Sequence, residues 1–70
     1  MKKIAILGAA ESGVGAAILA QKQGYDVFVS DMGTIKSHYK DMLNEHGINW
    51  EEGQHSSEKI LDASEIPPTY

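Results

Sequence analysis

Residues Lys2 to Ala17, Lys-Lys-Ile-Ala-Ile-Leu-Gly-Ala-Ala-Glu-Ser-Gly-Val-Gly-Ala-Ala, restrict the chain to few folds, because an apolar run, a glycine-rich turn and a helix start follow one another directly. Ile4 to Leu7 is short and wholly apolar, as expected of a strand covered on both faces in a parallel sheet. In a phosphate-binding βα unit the first glycine permits the tight turn, the second lets backbone approach a diphosphate, and the third lets helix and strand pack closely. Gly8, Ala10 and Gly13 hold these places. The unpaired N–H groups of the first helical turn then face whatever lies beyond the strand end, which suits a phosphate without a cationic side chain.

A second predicted strand, Val27 to Val29, ends at Ser30-Asp31. Asp31 stands eighteen residues after Gly13, near the spacing of about 20 at which an acid accepts a hydrogen bond from a nucleotide. The alternative reading of Gly8, Gly13 and Gly15 is turn geometry and helix packing alone. For Asp31 it is a simple strand-end cap.

Between the strands, Val14, Ala17, Ile18 and the stem of Gln21 form the sheet-facing stripe of a helix from Ser12 or Gly13 to Lys22, with Gly15 and nearby alanines allowing close approach. Gly24 ends it. Thr34 is the expected N-cap of a second helix, residues 35 to 46, whose apolar face is Ile35, Tyr39, Met42, Leu43 and His46, with Gly47 as its stop. Ile48 to Glu51 reads as an edge strand, Glu51 and Glu52 as a solvated turn, and Ser56-Ser57-Glu58 as a serine-capped start to a short helix reaching Ala63. Pro67-Pro68 rules out a fourth strand there. The expected architecture is α/β: a Rossmann-like three-layer domain over residues 1–66, with a small parallel sheet of strand order 3-2-1, helices on both faces, and a tail at 67–70. The series stops before its fourth strand.

Seventy residues hold at most one small core. The net charge of −4, with all six basic residues lysine, speaks against a nucleic-acid surface. No apolar run approaches the roughly 18 residues of a membrane span, and the short run after Met-Lys-Lys is not a signal peptide. The absence of cysteine is compatible with a cytoplasmic setting. His38, His46 and His55 lack the acid or thiol neighbours of a metal site, so no metal is expected. Trp50 and Tyr39 read as core rather than base-stacking groups.

With the glycine turn, Val-Phe-Val-Ser-Asp and Ile-Leu-Asp-Ala-Ser-Glu in view, the chain resembles the amino-terminal domain of the Mur ligases, in particular their D-glutamate-adding branch. The likeness runs over nearly all of residues 2 to 66. It implies a cytoplasmic, ATP-dependent ligase of peptidoglycan synthesis, linked to cell wall biogenesis and cell division, whose amino-terminal domain holds the UDP part of UDP-N-acetylmuramoyl-L-alanine. ATP and Mg belong to other domains of such enzymes, so neither a cofactor nor a catalytic residue is expected in this chain. Carried over, Ser12 and the amides of Glu11 and Ser12 meet the diphosphate, Asp31 accepts from the uracil, and Met32 and Gly33 flank it. Gly8 and Gly13 shape the turn. Glu11 pointing outward is a helix-dipole residue instead. The residues alone leave a second possibility open, an NAD(P)-binding half of an oxidoreductase, for which Asp31 is favourable and Ala10 unfavourable. A third is a non-catalytic piece that self-associates through the Ile4–Leu7 edge.

Overall fold

The computed structural model describes residues 2–63, in the order β1 (Lys3–Leu7), α1 (Glu11–Lys22), β2 (Asp26–Asp31), α2 (Ser37–Glu45), β3 (Asn49–Glu52) and α3 (Ser57–Leu61). The expectations for residues 64–70 lie outside the described residues. The three strands are parallel in the order β1-β2-β3, the small Rossmann-like sheet that the strand–helix rhythm predicts.

Strand alternation divides the side chains between two faces. Ile4, Ile6, Val27 and Val29 join Val14, Ala17 and Ala20 of α1, Leu43 of α2, and Ile35 and Ile48 in one buried cluster. Helices α1 and α2 pack against each other and cover this face. The opposite face presents Ala5 beside Phe28 and Asn49, then Leu7 beside Ser30 and Glu51, by the strand register. The segment from Gln54 through α3 lies over it: Ser30 meets Gln54 and His55, Lys59 Nζ sits 5.3 Å from the Phe28 ring centre, and Lys3 pairs with Asp62 at 2.6 Å. No residue of α3 is buried, so polar contacts hold that layer.

Several local expectations shift. Helix α1 starts at Glu11, a residue or two early, and Gly24 closes it with φ +95°, as Gly47 closes α2. Gly15 does not serve close packing: it is exposed, and a Cβ there would touch nothing within 4 Å. Of the two helix glycines that role falls to Gly13, while the small residues Ala17 and Ala20 are buried in the core as expected. Ile35 is buried but precedes α2, and no Thr34 side chain caps the helix. Its N-cap is Lys36, because Ile35 N–H donates to Glu52 Oε1 at 3.0 Å and anchors the loop in extended form. Met42 is exposed rather than part of the apolar stripe, and His46 is the C-cap residue, its carbonyl accepting from Gln21 Nε2. Strand β3 runs one residue further than expected, to Glu52. The serine at the start of α3 makes no cap bond, since the Ser56 hydroxyl is spent on Glu51.

Candidate functional site

The carboxyl ends of β1 and β2 meet above the glycine turn. Gly8 adopts φ +105°, which a side chain would strain, and turns the chain from β1 toward α1. Its N–H donates to the Ser30 carbonyl at 2.7 Å, which is the end of the parallel backbone ladder. Asp31 extends that ladder with its side chain: Ala9 N–H donates to Oδ2 at 2.8 Å, and Gly33 N–H donates to Oδ1 at 2.8 Å. One carboxylate thus fixes both the glycine turn and the turn that leaves β2. The strand-end cap reading of Asp31 describes a real contact, and free lone pairs on each oxygen can still accept from a ligand.

Gly13 is buried on the inner side of α1, where a Cβ would lie 1.9 Å from the Gly8 carbonyl oxygen. Helix and strand therefore touch backbone to backbone. Ala10 is the N-cap of α1 in extended conformation, and no side chain caps the helix, so the first-turn N–H groups stay open to an acceptor. Glu11 and Ser12 are exposed in that turn. Met32 is 62% exposed and Gly33 is exposed, both in the loop after β2. The structure thus brings Gly8 and Gly13 together by backbone packing and joins Asp31 to Ala9 and Gly33 by hydrogen bonds, while Glu11, Ser12 and Met32 are exposed nearby in chain.

Sequence reasoning missed the support beneath. Glu51 and Glu52 are not a solvated turn: they are strand residues facing opposite ways, Glu51 beside Ser30 and Glu52 beside Asp31. Glu51 is 7% exposed. It accepts from the Ser30 hydroxyl at 2.7 Å, the Ser56 N–H at 2.7 Å and the Ser56 hydroxyl at 2.5 Å. Burial works to raise its carboxyl, but the Ser56 N–H, the two hydroxyls and the Lys59 charge outweigh it and leave it below the ordinary glutamate value. The Ser30 hydroxyl also lies 2.6 Å from His55 Nδ1. The Gln54 carbonyl oxygen lies 3.0 Å from it as well, so carboxylate, carbonyl and imidazole gather on one hydroxyl. Glu52 is lowered by the hydrogen bond from Lys40 and then by that from Ile35 N–H, and Gly53 N–H donates to the Gly33 carbonyl at 2.9 Å. The end of β3 therefore holds the whole 32–35 loop in place. No local pattern marks these acids, because apart from Ser56 their partners Ser30, Ile35 and Lys40 lie 12 to 21 residues away.

An open cavity of about 450 Å³ lies at the opposite ends of the strands, walled by Lys3, Asp26, Phe28, Asn49, Lys59 and Asp62 among others; it includes no residue of the glycine turn. Among the described residues no group of three His, Cys, Asp or Glu side chains is placed to hold a metal ion, and no helix is long and apolar enough to cross a membrane.

Comparison with known proteins identifies the family. The chain matches the family described as MurD N-terminal domain over residues 3–66. It is 59% identical over 66 residues, 94% of its length, to a UDP-N-acetylmuramoylalanine–D-glutamate ligase of Bacteroides fragilis, 15% of which is covered. It is 55% identical over 65 residues to the ligase of the same description from Christiangramia forsetii (93% of this chain, 15% of that protein) and 57% identical over 63 residues to that of Porphyromonas gingivalis (90% and 14%). The chain thus spans about one seventh of the length of these curated relatives. No solved structure matches it. With a match that runs from the first residue of β1 past the end of α3 and takes in the glycine turn, Asp31 and the β3 acids, the chain belongs to the MurD N-terminal domain family.

Proposed function

We propose that this chain is a domain, residues 1–66, that holds the UDP part of UDP-N-acetylmuramoyl-L-alanine for a D-glutamate-adding, ATP-dependent ligase of peptidoglycan synthesis in the cytoplasm. The observation that carries the reading is the bond from Ala9 N–H to Asp31 Oδ2, which brings an uncapped helix start and a strand-end acid to one place. In this reading, as the resemblance implies, the diphosphate meets the amides of Glu11 and Ser12, the uracil meets Asp31, and Met32 and Gly33 run along the base. Amide formation, ATP and Mg belong to the parts of the relatives that this chain does not span.

Ala10 stands where the dinucleotide fingerprint has its second glycine, and this departure together with the family match supports UDP over NAD. UDP is expected to shift the amide resonances of Gly8 to Gly13 and of Asp31 to Gly33 more than NAD does at equal concentration. Equal or larger shifts with NAD overturn the assignment. Affinity of the chain by itself is expected near the millimolar scale, about −4 kcal/mol.

A specific observation favours self-association as well: β1 is an outer strand of the described sheet, and it carries Ile4 and Ile6 without proline or bulge. Sedimentation over a concentration series is expected to show dimers whose share grows with concentration. A chain that stays monomeric and folded at high concentration refutes this.

A further inference from the structure

We infer that Asp31 is a positioning residue for the diphosphate, acting through Ala9, in addition to its proposed contact with the base; the inference rests on the nucleotide reading above. Two successive amides of the glycine turn are tied to the end of β2, Gly8 to the Ser30 carbonyl and Ala9 to the Asp31 carboxylate. Ala9 is buried and its N–H is taken, so the first amides left for a phosphate are those of Ala10, Glu11 and Ser12. Their direction depends on how Ala9 is held. The other Asp31 oxygen holds Gly33, and Glu52 with Gly53 holds the loop around it. The Asp31 carboxylate is therefore the side-chain link between the two halves of the site, and occupation of one half is felt in the other.

This role makes a prediction whose sign is opposite to that of charge alone. Asp31 is an anion beside the place proposed for another anion, so on electrostatics its removal should tighten binding of inorganic pyrophosphate. Asp31→Asn, however, offers one acceptor and one NH₂ group to two N–H donors. Whichever way the amide turns, Ala9 or Gly33 faces a donor. We expect this variant to bind pyrophosphate several-fold more weakly and UDP about tenfold more weakly, the scale of one lost charge-assisted hydrogen bond.

The experiment titrates the wild-type chain and Asp31→Asn with pyrophosphate, uridine and UDP, read by amide resonances. Weakened pyrophosphate binding in a folded variant supports the inference. Unchanged or tightened pyrophosphate binding, with uridine weakened, overturns it and leaves Asp31 as a base contact only. Failure of wild-type chain to bind UDP at all overturns the nucleotide reading itself, and this inference with it. Should the variant not fold, the wild-type chain decides: pyrophosphate alone is expected to shift the Asp31 carboxyl carbon and the Gly33 amide, and stationary signals at both overturn the coupling.

Discussion

Gly13→Ala is expected to abolish the cooperative thermal transition of this domain. The added Cβ would stand 1.9 Å from the Gly8 carbonyl oxygen and 2.9 Å from its carbon, and both are backbone atoms in a turn pinned to β2. A flexible side chain could swing aside; a carbonyl held by its neighbours cannot. Overpacking among side chains costs about 1–3 kcal/mol, and lifting α1 from β1 to clear a backbone clash exceeds that. A domain of this size has only about 3–5 kcal/mol of stability from its core. Gly15→Ala is the matched control, two residues further along the same helix. With nothing within 4 Å of its Cβ, it is expected to stabilise α1 by about 0.5–1 kcal/mol through helix propensity alone. Calorimetry on the two variants checks both signs. A Gly13→Ala protein that melts within a few degrees of wild type would contradict the backbone contact on which the glycine turn depends.

Glu51→Ala carries the second large effect, an expected loss of about 2–4 kcal/mol. The substitution removes the one acceptor of the partly buried Ser56 N–H and hydroxyl, and it costs the buried Ser30 hydroxyl its carboxylate partner, leaving it the Gln54 carbonyl. It also releases the Gln54–Ser56 loop that leads into α3, a helix with no buried residue to hold it. Acid should reproduce part of this in the wild-type chain. Because the folded carboxyl lies below the ordinary value of 4.5, its contribution is fully present above that pH and is lost as pH falls through the lowered value. Glu52, lowered by Lys40 and Ile35 N–H, adds a loss in the same direction and window. Denaturant midpoints measured from neutral pH downward should decline below about pH 4.5, and Glu51→Gln should start lower and decline less steeply. An acid limb of equal steepness in that variant would remove Glu51 from the account.

The difference between the two glycines shows how far sequence reading reached. Gly13 and Gly15 both stand in the first turns of a helix after a glycine turn, and close packing was expected of both. Only the phase of α1 on the sheet, set by Val14, Ala17 and Ala20 entering the core, turns Gly13 toward Gly8 and Gly15 toward solvent. The serine and threonine caps behave alike. Thr34 and Ser56 are good cap residues locally, but Glu52 takes Ile35 N–H and Glu51 takes the Ser56 hydroxyl, so competition from another strand decides their use.

By itself the sequence determined what depends on neighbours along the chain: the Ile4–Leu7 strand, the glycine turn, the helical stripe, the stops at Gly24 and Gly47, and through them a parallel α/β order with Asp31 at a strand end. Periodicity and special backbone angles are local properties, and they were legible. Tertiary structure alone decided that Glu51 is a buried acceptor and Glu52 a loop anchor, and that Asp31 Oδ2 binds the Ala9 amide. The first two depend on the register of β3 against β2, which sets Ser30 beside Glu51 and Asp31 beside Glu52, and the third on that of β1 against β2. Two consecutive acids look the same in a turn or at a strand end; the partner across the sheet, some twenty residues away, makes one of them part of the site's foundation.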